Sequence, residues 1–462
     1  WVTWRGFEDH KLELFVYGSS DRVALLLPED EPQGNAEVQI TGIEFANSFH
    51  RAQARWEWRP DGEPIENDFI VSYGINSFGF EAADNLNFFG DFLQSQIRED
   101  LRIQADETLE IRLGADLELG QTIYSYEFPR FNDEGDTDSE SGEGRPNFNE
   151  DGLVGERQSP LLQPAFYTEL TYEPIEELKL VPGVRLDYFG EVRESSVSPR
   201  FNARWQAHDR VTVKGGVGLF TQPPIPGETE EDFGNPNLTF EKSMHYALGA
   251  EWSILDYLEV DATLFYKDIW DLIVQTDEVD SDGQPLIYDN DGQGRAYGLE
   301  LLIRHYPKDK FFGWLAYTLS RAERLNTETD EYVPFEYDQT HILTAVAGYN
   351  LPANFDVSAR MRVVTGSPET PIVGGALDVD TDSYRPIYGE RFSERSATFH
   401  QLDVRVDKKF IFDTWIFGVY LDVINAYNSK NEEGKRYNYD YSESAPVMGL
   451  PIIPTLGVNG RF

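Results

Sequence analysis

The sequence predicts an all-β protein, namely a transmembrane antiparallel up-and-down β-barrel with about eighteen visible strands. Three observations predict this fold. Apolar and polar residues alternate along segments of about ten residues, short turns alternate with long polar loops, and no run of about 18 apolar residues could form a membrane helix. Aromatic residues nevertheless make up 14% of the 462 residues, and the mean hydropathy is −0.48. A membrane barrel accounts for both values, because its lumen and loops stay polar.

The clearest alternation lies in a hairpin from Phe399 to Asn428, with a turn of a few residues around Asp413. Its first arm alternates Leu402, Val404 and Val406 with Gln401, Asp403, Arg405 and Asp407, and its second arm alternates Trp415, Phe417, Val419, Leu421 and Val423 with Gly418, Tyr420, Asp422 and Ile424. A polar loop from Asn428 to Ala445 and a last strand ending at Phe462 follow. A period of two is typical of strands that have one apolar surface.

The same pattern predicts the other strands in order. Residues 1–5 read as the tail of a strand, which predicts that something upstream is missing, and 6–10 read as a tight turn. The strands that follow are 11–25, 50–58, 68–80, 88–103, 109–126, 165–172, 178–188, 199–205, 211–220, 245–252, 258–274, 297–305, 312–319, 342–349 and 355–364, before the hairpin and the terminal strand. An acidic loop is predicted up to Glu44, a loop without ordered structure at 129–158, and a Pro-rich loop at 222–237.

The short turns all fall on one side of the predicted sheet. They lie around Arg59, Ala105, Pro174, His208, Asp256, Lys308, Pro352 and Asp413. Bacterial outer-membrane barrels have short periplasmic turns and longer external loops. The sequence therefore predicts an outer-membrane location, with lipid as a partner.

Charge and residue usage exclude several classes of function. The formal net charge is −43, from 82 acidic and 39 basic side chains, which disfavours nucleic acid as a partner. Cysteine is absent, so thiol chemistry and disulfides are excluded. The seven histidines are scattered and form no catalytic or metal-binding motif: His10, His50, His208, His245, His305, His341 and His400. We predict no enzyme activity and no cofactor.

Four groups of residues are candidate sites. Residues 129–158 carry nine acidic and three basic side chains and read either as a cation-attracting vestibule or lid, or as a solvated surface loop. A second group resembles an EF-hand loop, although Glu278 replaces the usual Asp and Asp289 is short for the bidentate position; its members are Glu278, Asp280, Asp282, Gly283 and Asp289. An acidic hairpin loop is the simpler interpretation of it.

The third group is a set of charges predicted to face the lumen, where they would line a substrate path or pair with one another: Asp261, Lys267, Glu300, Arg304, Asp403, Arg405 and Asp407. The fourth candidate is the terminal residue, Phe462.

Several motifs together resemble the C-terminal barrel of TonB-dependent receptors, the active transporters of Gram-negative outer membranes. They are residues 182–188 (PGVRLDY), 198–201 (SPRF), 218–220 (GLF), 235–238 (NPNL), 241–243 (EKS), 264–266 (LFY), 271–273 (DLI), 296–301 (AYGLEL), 421–428 (LDVINAYN) and the terminal Phe462. Each is weak alone, and the match depends on their order and spacing over nearly the whole chain.

The resemblance implies a barrel of about 22 strands with a plugged lumen. It implies that residues 1–462 are the barrel domain, with the plug, the first strands and the segment that contacts the TonB complex lying upstream of Trp1. It also implies that Phe462 is read by the barrel-insertion machinery, and that the barrel serves energised uptake of a scarce solute such as an iron–siderophore, cobalamin or an oligosaccharide. The acidic loops would disfavour anionic ligands such as ferric catecholates. Two alternatives stay open: a passive, plug-free, porin-like channel, and an adhesive or structural surface barrel.

Overall fold

The computed structural model describes residues 1–26, 42–83, 86–128, 130–131, 146–147, 153–225, 227–229, 234–275, 288–326, 329–379 and 383–461. Within them, no helix is long and apolar enough to cross a membrane. The strands of the first part are β1 (Val2–Trp4), β2 (His10–Leu26), β3 (Gly42–Trp58), β4 (Ile65–Ala83), β5 (Leu86–Asp106), β6 (Leu109–Phe128), β7 (Arg130–Phe131), β8 (Pro146–Asn147), β9 (Leu153–Ile175), β10 (Leu178–Phe189), β11 (Glu194–His208), β12 (Val211–Gln222), β13 (Glu241–Leu255) and β14 (Leu258–Gln275).

The second part contains β15 (Tyr288–Lys308), β16 (Phe311–Asn326), β17 (Glu331–Pro334), β18 (His341–Leu351), a 3₁₀ turn at Pro352–Asn354, β19 (Phe355–Val364), β20 (Pro368–Glu369), β21 (Ile372–Asp378), β22 (Ser383–Tyr388), β23 (Glu394–Arg395), β24 (Phe399–Ile411), β25 (Ile416–Ile424), β26 (Glu432–Tyr437), β27 (Ser444–Met448) and β28 (Ile453–Arg461).

Twenty of these strands form one antiparallel sheet in which each strand pairs with its neighbours along the chain. Four two-stranded sheets lie in the connections, formed by β7 with β8, β20 with β23, β21 with β22, and β26 with β27. In the large sheet only β1 and β17 are shorter than nine residues. The up-and-down order confirms the predicted transmembrane barrel, with its eighteen long strands.

The connections between long strands alternate as predicted, with two exceptions. Turns such as residues 107–108 and 256–257 lie at one end of the sheet, which we call the short-turn end, and connections such as 223–240 and 425–452 lie at the other, the long-loop end. At the long-loop end, however, β4 and β5 are separated only by residues 84–85, and β10 and β11 only by 190–193. β4 and β5 have 19 and 21 residues, so they reach well beyond the roughly ten residues that span a membrane.

Three predicted loop boundaries are wrong in the described residues. β3 begins at Gly42, so the strand predicted from His50 starts within the expected acidic loop. β9 begins at Leu153, inside the segment expected to lack order. The polar loop after Asn428 contains the β26–β27 hairpin. β3 and β9 extend past their predicted starts by continuous pairing with neighbouring strands, whereas β26 and β27 form a separate two-stranded sheet.

The two faces of the sheet differ in chemistry, as the register across β13–β16 illustrates. One row of facing residues is Leu248, Leu264, Leu299 and Leu319, and the adjacent row, pointing to the opposite face, is Gly249, Thr263, Glu300 and Thr318. Leu248 and Leu264 are 61% and 58% exposed. Large exposed apolar side chains in continuous rows are required of a face that contacts lipid, and the polar face then lines the lumen.

Aromatic side chains on the lipid-facing side gather towards both ends of the strands. Near the long-loop end the Tyr266 ring lies 6.3 Å from those of Tyr246 and Tyr297. Near the short-turn end the exposed aromatic residues include Trp205, Trp252, Tyr349 and Phe355. Two aromatic belts that bound an apolar band are typical of outer-membrane barrels.

Leu264 and Thr263 provide a matched test of the two faces. Leu264→Arg places a charge in the apolar band, and we expect it to lower the free energy of unfolding in vesicles by about 2–4 kcal/mol. Thr263→Arg, one residue away, points into the lumen beside Asp261, which accepts a hydrogen bond from the Thr263 hydroxyl at 3.3 Å, and should cost much less. Urea titration of refolded protein, followed by heat-modifiable migration on gels, measures both. Equal losses would contradict this assignment of faces.

Candidate functional site: the lumen wall

Two buried aspartates organise the lumen wall across β5, β6, β9 and β10. Asp100 accepts hydrogen bonds from Arg112 Nε at 2.7 Å, from Arg102 Nε at 3.3 Å and from the Tyr167 hydroxyl at 2.7 Å. The Tyr167 ring lies over Gly114, where an added Cβ would come within 2.0 Å of it. Only glycine therefore allows the tyrosine to reach Asp100.

The second aspartate extends this network to β10. Asp116 accepts from Arg98 Nε at 2.5 Å and from Arg185 Nη1 at 2.9 Å, and Arg185 Nε donates to Asp187 at 2.8 Å. Asp100 and Asp116 are each 5% exposed, whereas the arginine side chains keep 29–45% of their surface. Because every carboxylate here has cationic partners, we call this group the arginine–aspartate network.

A similar cluster lies at the short-turn end of β2, β3 and β4. Glu57, 5% exposed, contacts Lys11 at 3.2 Å, Arg55 at 3.2 Å and Arg59 at 2.6 Å. Arg55 also contacts Asp68 at 3.0 Å. The lumen face thus pairs acids with bases across neighbouring strands, which limits its net charge.

Five of the seven charges that the sequence placed in the lumen are paired in the same way. Asp261 contacts Lys214 at 2.5 Å, Arg304 contacts Glu259 at 3.0 Å, and Arg405 contacts Asp407 at 2.8 Å. Asp403 accepts from Arg360 Nε at 2.9 Å and from the backbone amide of Asn425 at 3.0 Å.

Lys267 and Glu300 complete that set of seven, and neither side chain has a hydrogen bond or ion pair with another described residue. They are not brought together, because Lys267 faces Ala296 whereas Glu300 faces Thr263. Their role in a substrate path stays a prediction.

Sequence reasoning missed a group of aromatic side chains on the lumen face near the long-loop end. The group, which we call the aromatic wall, consists of Phe45, Phe78, Phe80, Phe88, Tyr124 and Tyr126. Ring centroids are 5.2 Å apart for Phe45 and Phe80, 6.1 Å for Phe78 and Phe88, and 6.0 Å for Phe88 and Tyr124. Tyr124 and Tyr126 are 4% and 1% exposed, and Phe78 is 40% exposed. The wall offers apolar ring surface to a solute in the lumen.

Ion pairs tie the long-loop connections together. The Arg395 guanidinium donates to the carboxylate of Asp338, which is nearly fully buried. It also donates at 3.0 Å to the backbone carbonyls of Asp338 and Gly366. Lys435 on the β26–β27 hairpin donates to Glu369 at 3.0 Å. That hydrogen bond raises the pKa of the Lys435 ammonium above its ordinary value, so this ammonium stays charged across the neutral range.

The remaining predicted site residues lie largely outside the described residues. Glu278, Asp280, Asp282, Gly283 and Phe462 are all outside them, as is most of 129–158. Asp289 is described, but it belongs to β15, faces Val274 in the sheet, and accepts from the amide of Asp291 at 3.0 Å. Its role as a calcium ligand stays a prediction. Among the described residues, no group of three or more acidic or histidine side chains could hold a metal ion.

Asp116 tests whether the arginine–aspartate network stabilises the barrel. Asp116→Ala leaves Arg98 and Arg185 without that carboxylate, and we expect a loss of about 1–3 kcal/mol in the free energy of unfolding, towards the lower end because water in the lumen screens both arginines. Asp256→Ala is the control, because Asp256 is 96% exposed and 3.6 Å from Arg210. Urea titration of the refolded barrel compares them; equal stability of the two variants would mean that the network contributes nothing.

Comparison with protein-family models gives a match over nearly the whole chain. Residues 5–428 match the family described as TonB dependent receptor-like, beta-barrel. A search of curated protein sequences finds no match.

Solved structures give a consistent result at the level of the fold. The outer membrane transporter YddB from Escherichia coli superposes with a TM-score of 0.72 at 13% identity, covering 99% of this chain and 67% of that one. FpvA of Pseudomonas aeruginosa, bound to a pyoverdine–iron complex, gives 0.69 at 12% identity, covering 99% and 63%. The FrpB iron transporter from Neisseria meningitidis gives 0.68 at 13% identity, covering 98% and 69%. The chain thus spans about two thirds of the length of these proteins.

Proposed function

Because this chain belongs to the family of TonB-dependent receptor-like β-barrels, which places it in the outer membrane, we propose that it is the barrel of a receptor for energised uptake of a scarce solute. The match over residues 5–428 carries this proposal. The chain spans about two thirds of the solved transporters, so the activity of a whole receptor is part of the proposal. No bond is made or broken in such a cycle.

In the proposed cycle the long loops face the exterior and capture the solute. The lumen wall then holds it while a plug is moved by the TonB complex. Phe462 would direct insertion by the barrel-insertion machinery. The paired charges of the arginine–aspartate network suit a wall that must keep its shape during this movement, because Asp100 and Asp116 are each held by two or more donors.

An iron–siderophore is the solute class that we favour over cobalamin and oligosaccharides. The observation behind this choice is the aromatic wall, since planar or apolar parts of a solute gain from stacking on exposed rings. Several structural neighbours are described as siderophore or iron transporters, including the siderophore receptor PiuA from Acinetobacter baumannii and the ferric-catecholate import receptor Fiu from E. coli.

Energised uptake is tested in cells that carry or lack the gene. We expect deletion to abolish growth on one iron–siderophore as sole iron source, and a plasmid copy to restore it. Dissipating the proton gradient should stop uptake of the radiolabelled complex without reducing its surface binding. Uptake that continues without the gradient would favour the passive, porin-like channel, and a deletion that impairs only adhesion would favour the structural surface barrel.

Two adjacent rings test the aromatic wall. Phe88 belongs to the wall, whereas Phe89 points to the opposite face and is 47% exposed. We expect Phe88→Ala to weaken solute binding about tenfold, since an aromatic pair contributes about 0.5–1.5 kcal/mol beyond its buried area. Phe89→Ala should leave binding unchanged. Equilibrium binding of the iron complex to purified receptor measures both; identical affinities would remove the wall from the site.

A further inference from the structure

Three basic side chains lie side by side on the lumen wall. Arg200 on β11 faces Gly218 on β12, Gly218 faces His245 on β13, and His245 faces Lys267 on β14. Directly facing residues in an antiparallel sheet point to the same side. The three bases therefore form one row across four strands, which we call the basic row.

An aromatic ring closes the gap that the glycine leaves in this row. The Phe220 ring lies over Gly218, where an added Cβ would be 3.1 Å from the ring and 3.3 Å from Arg200 Cβ. Its centroid is 4.4 Å from that of the His245 ring and 6.0 Å from the guanidinium carbon of Arg200. The row is therefore contiguous, and its three bases are half-buried, so they remain accessible from the lumen.

Within the described residues no carboxylate forms an ion pair with Arg200 or Lys267, although Glu169 on β9 lies in the same row beyond Arg200, across Gly183 on β10. Neither the Arg200 nor the Lys267 side chain has a hydrogen bond or ion pair with another described residue, whereas Lys214, on β12 four residues from Gly218, contacts both Glu251 and Asp261. The lumen-facing positions that flank the row along its strands are all uncharged: Ser198, Asn202, Gly216, Phe220, Ser243, Ala247, Phe265 and Ile269. The hydroxyl oxygen of Ser243 is buried without a hydrogen-bond partner among the described residues.

Two basic side chains without an ion partner are unexpected in a chain with 82 acidic and 39 basic residues. In the other lumen clusters a carboxylate pairs with the bases. Arg200 and Lys267, with His245 between them and the small residue Ala296 leaving space above the wall beside Lys267, have the composition of an anion-binding site.

We propose that Arg200, His245 and Lys267 bind an anionic group of the solute, a carboxylate or a phosphate, on its path through the lumen. The guanidinium presents paired N–H donors that match two oxygens, and the ammonium adds a point charge. His245 contributes a further N–H donor, and Phe220 provides an apolar floor that holds water away from one side. This proposal rests on the proposed function in one respect, because it requires the solute to pass through the lumen.

Citrate is the probe for this site because it carries several carboxylates. The full-length receptor, extracted from outer membranes in a non-ionic detergent, is titrated with citrate by calorimetry at fixed pH and ionic strength. We expect Arg200→Gln and Lys267→Gln each to weaken citrate binding severalfold, and the double variant to weaken it at least tenfold. Binding of the neutral probe sucrose should not change. Heat-modifiable migration on gels verifies that each variant is folded.

Arg362→Gln is the matched control. Arg362 also faces the lumen, on β19, where it lies 5.4 Å from the centroid of the Phe399 ring and has no acid partner among the described residues. It should retain citrate affinity within twofold. Absence of citrate binding to the unmodified receptor, unchanged affinity in the double variant, or an equal loss in Arg362→Gln would each overturn the proposal. Because the titration needs neither TonB nor a gradient, its failure leaves energised uptake untouched, and failed uptake leaves the titration interpretable.

Discussion

Backbone hydrogen bonding in lipid is the constraint on which the rest of this structure depends. A strand that crosses a membrane has no water to satisfy its amides and carbonyls, so each must pair with a neighbouring strand. β2 and β3 meet this demand without interruption from His10 opposite Trp58 to Leu26 opposite Gly42. Continuous pairing forces alternate side chains to opposite faces. The contrast between the leucine row of β13–β16 and the polar row beside it is a direct result.

The same alternation of side chains between the two faces determines where the acidic and basic residues lie. Acids that point into the lumen meet bases on the next strand, as Glu57, Asp100 and Asp116 do, so the large negative charge of the chain must reside mainly elsewhere. Residues 129–158, with nine acidic and three basic side chains, are one such place. A basic row inside an acidic protein is physically consistent, because salt screens exposed charges beyond about 8 Å at physiological ionic strength. Acidic loops would then slow the approach of an anion more than they would weaken its binding at the row.

The sequence was sufficient for the fold class, because the contrast between residues such as Thr263 and Leu264 repeats on strand after strand. It was insufficient for the aromatic wall, because apolar residues occupy both faces near the long-loop end, where Phe88 and Phe89 are adjacent, and the period of two disappears. The sequence also could not predict which polar and charged side chains pair with one another. Asp100 and Tyr167 are 67 positions apart, and their contact depends on the register of three strands and on the absence of a side chain at Gly114. The sequence could not place Asp289 in β15, because an acidic residue in a strand and one in a loop look alike without the register.

The two-residue connection between β4 and β5 has a consequence for how specificity could diverge in this protein. These strands carry Phe78, Phe80 and Phe88 beyond the membrane on a continuous hydrogen-bonded ladder, so the position of the rings is set by the sheet. The neighbouring long loops can change in length and sequence at little cost to stability. The ring-bearing β4–β5 hairpin is therefore fixed by the sheet, whereas the long loops beside it can be exchanged. Duplicated copies of the gene could acquire new cargo by replacing loops alone, while the ring-bearing hairpin remained unchanged.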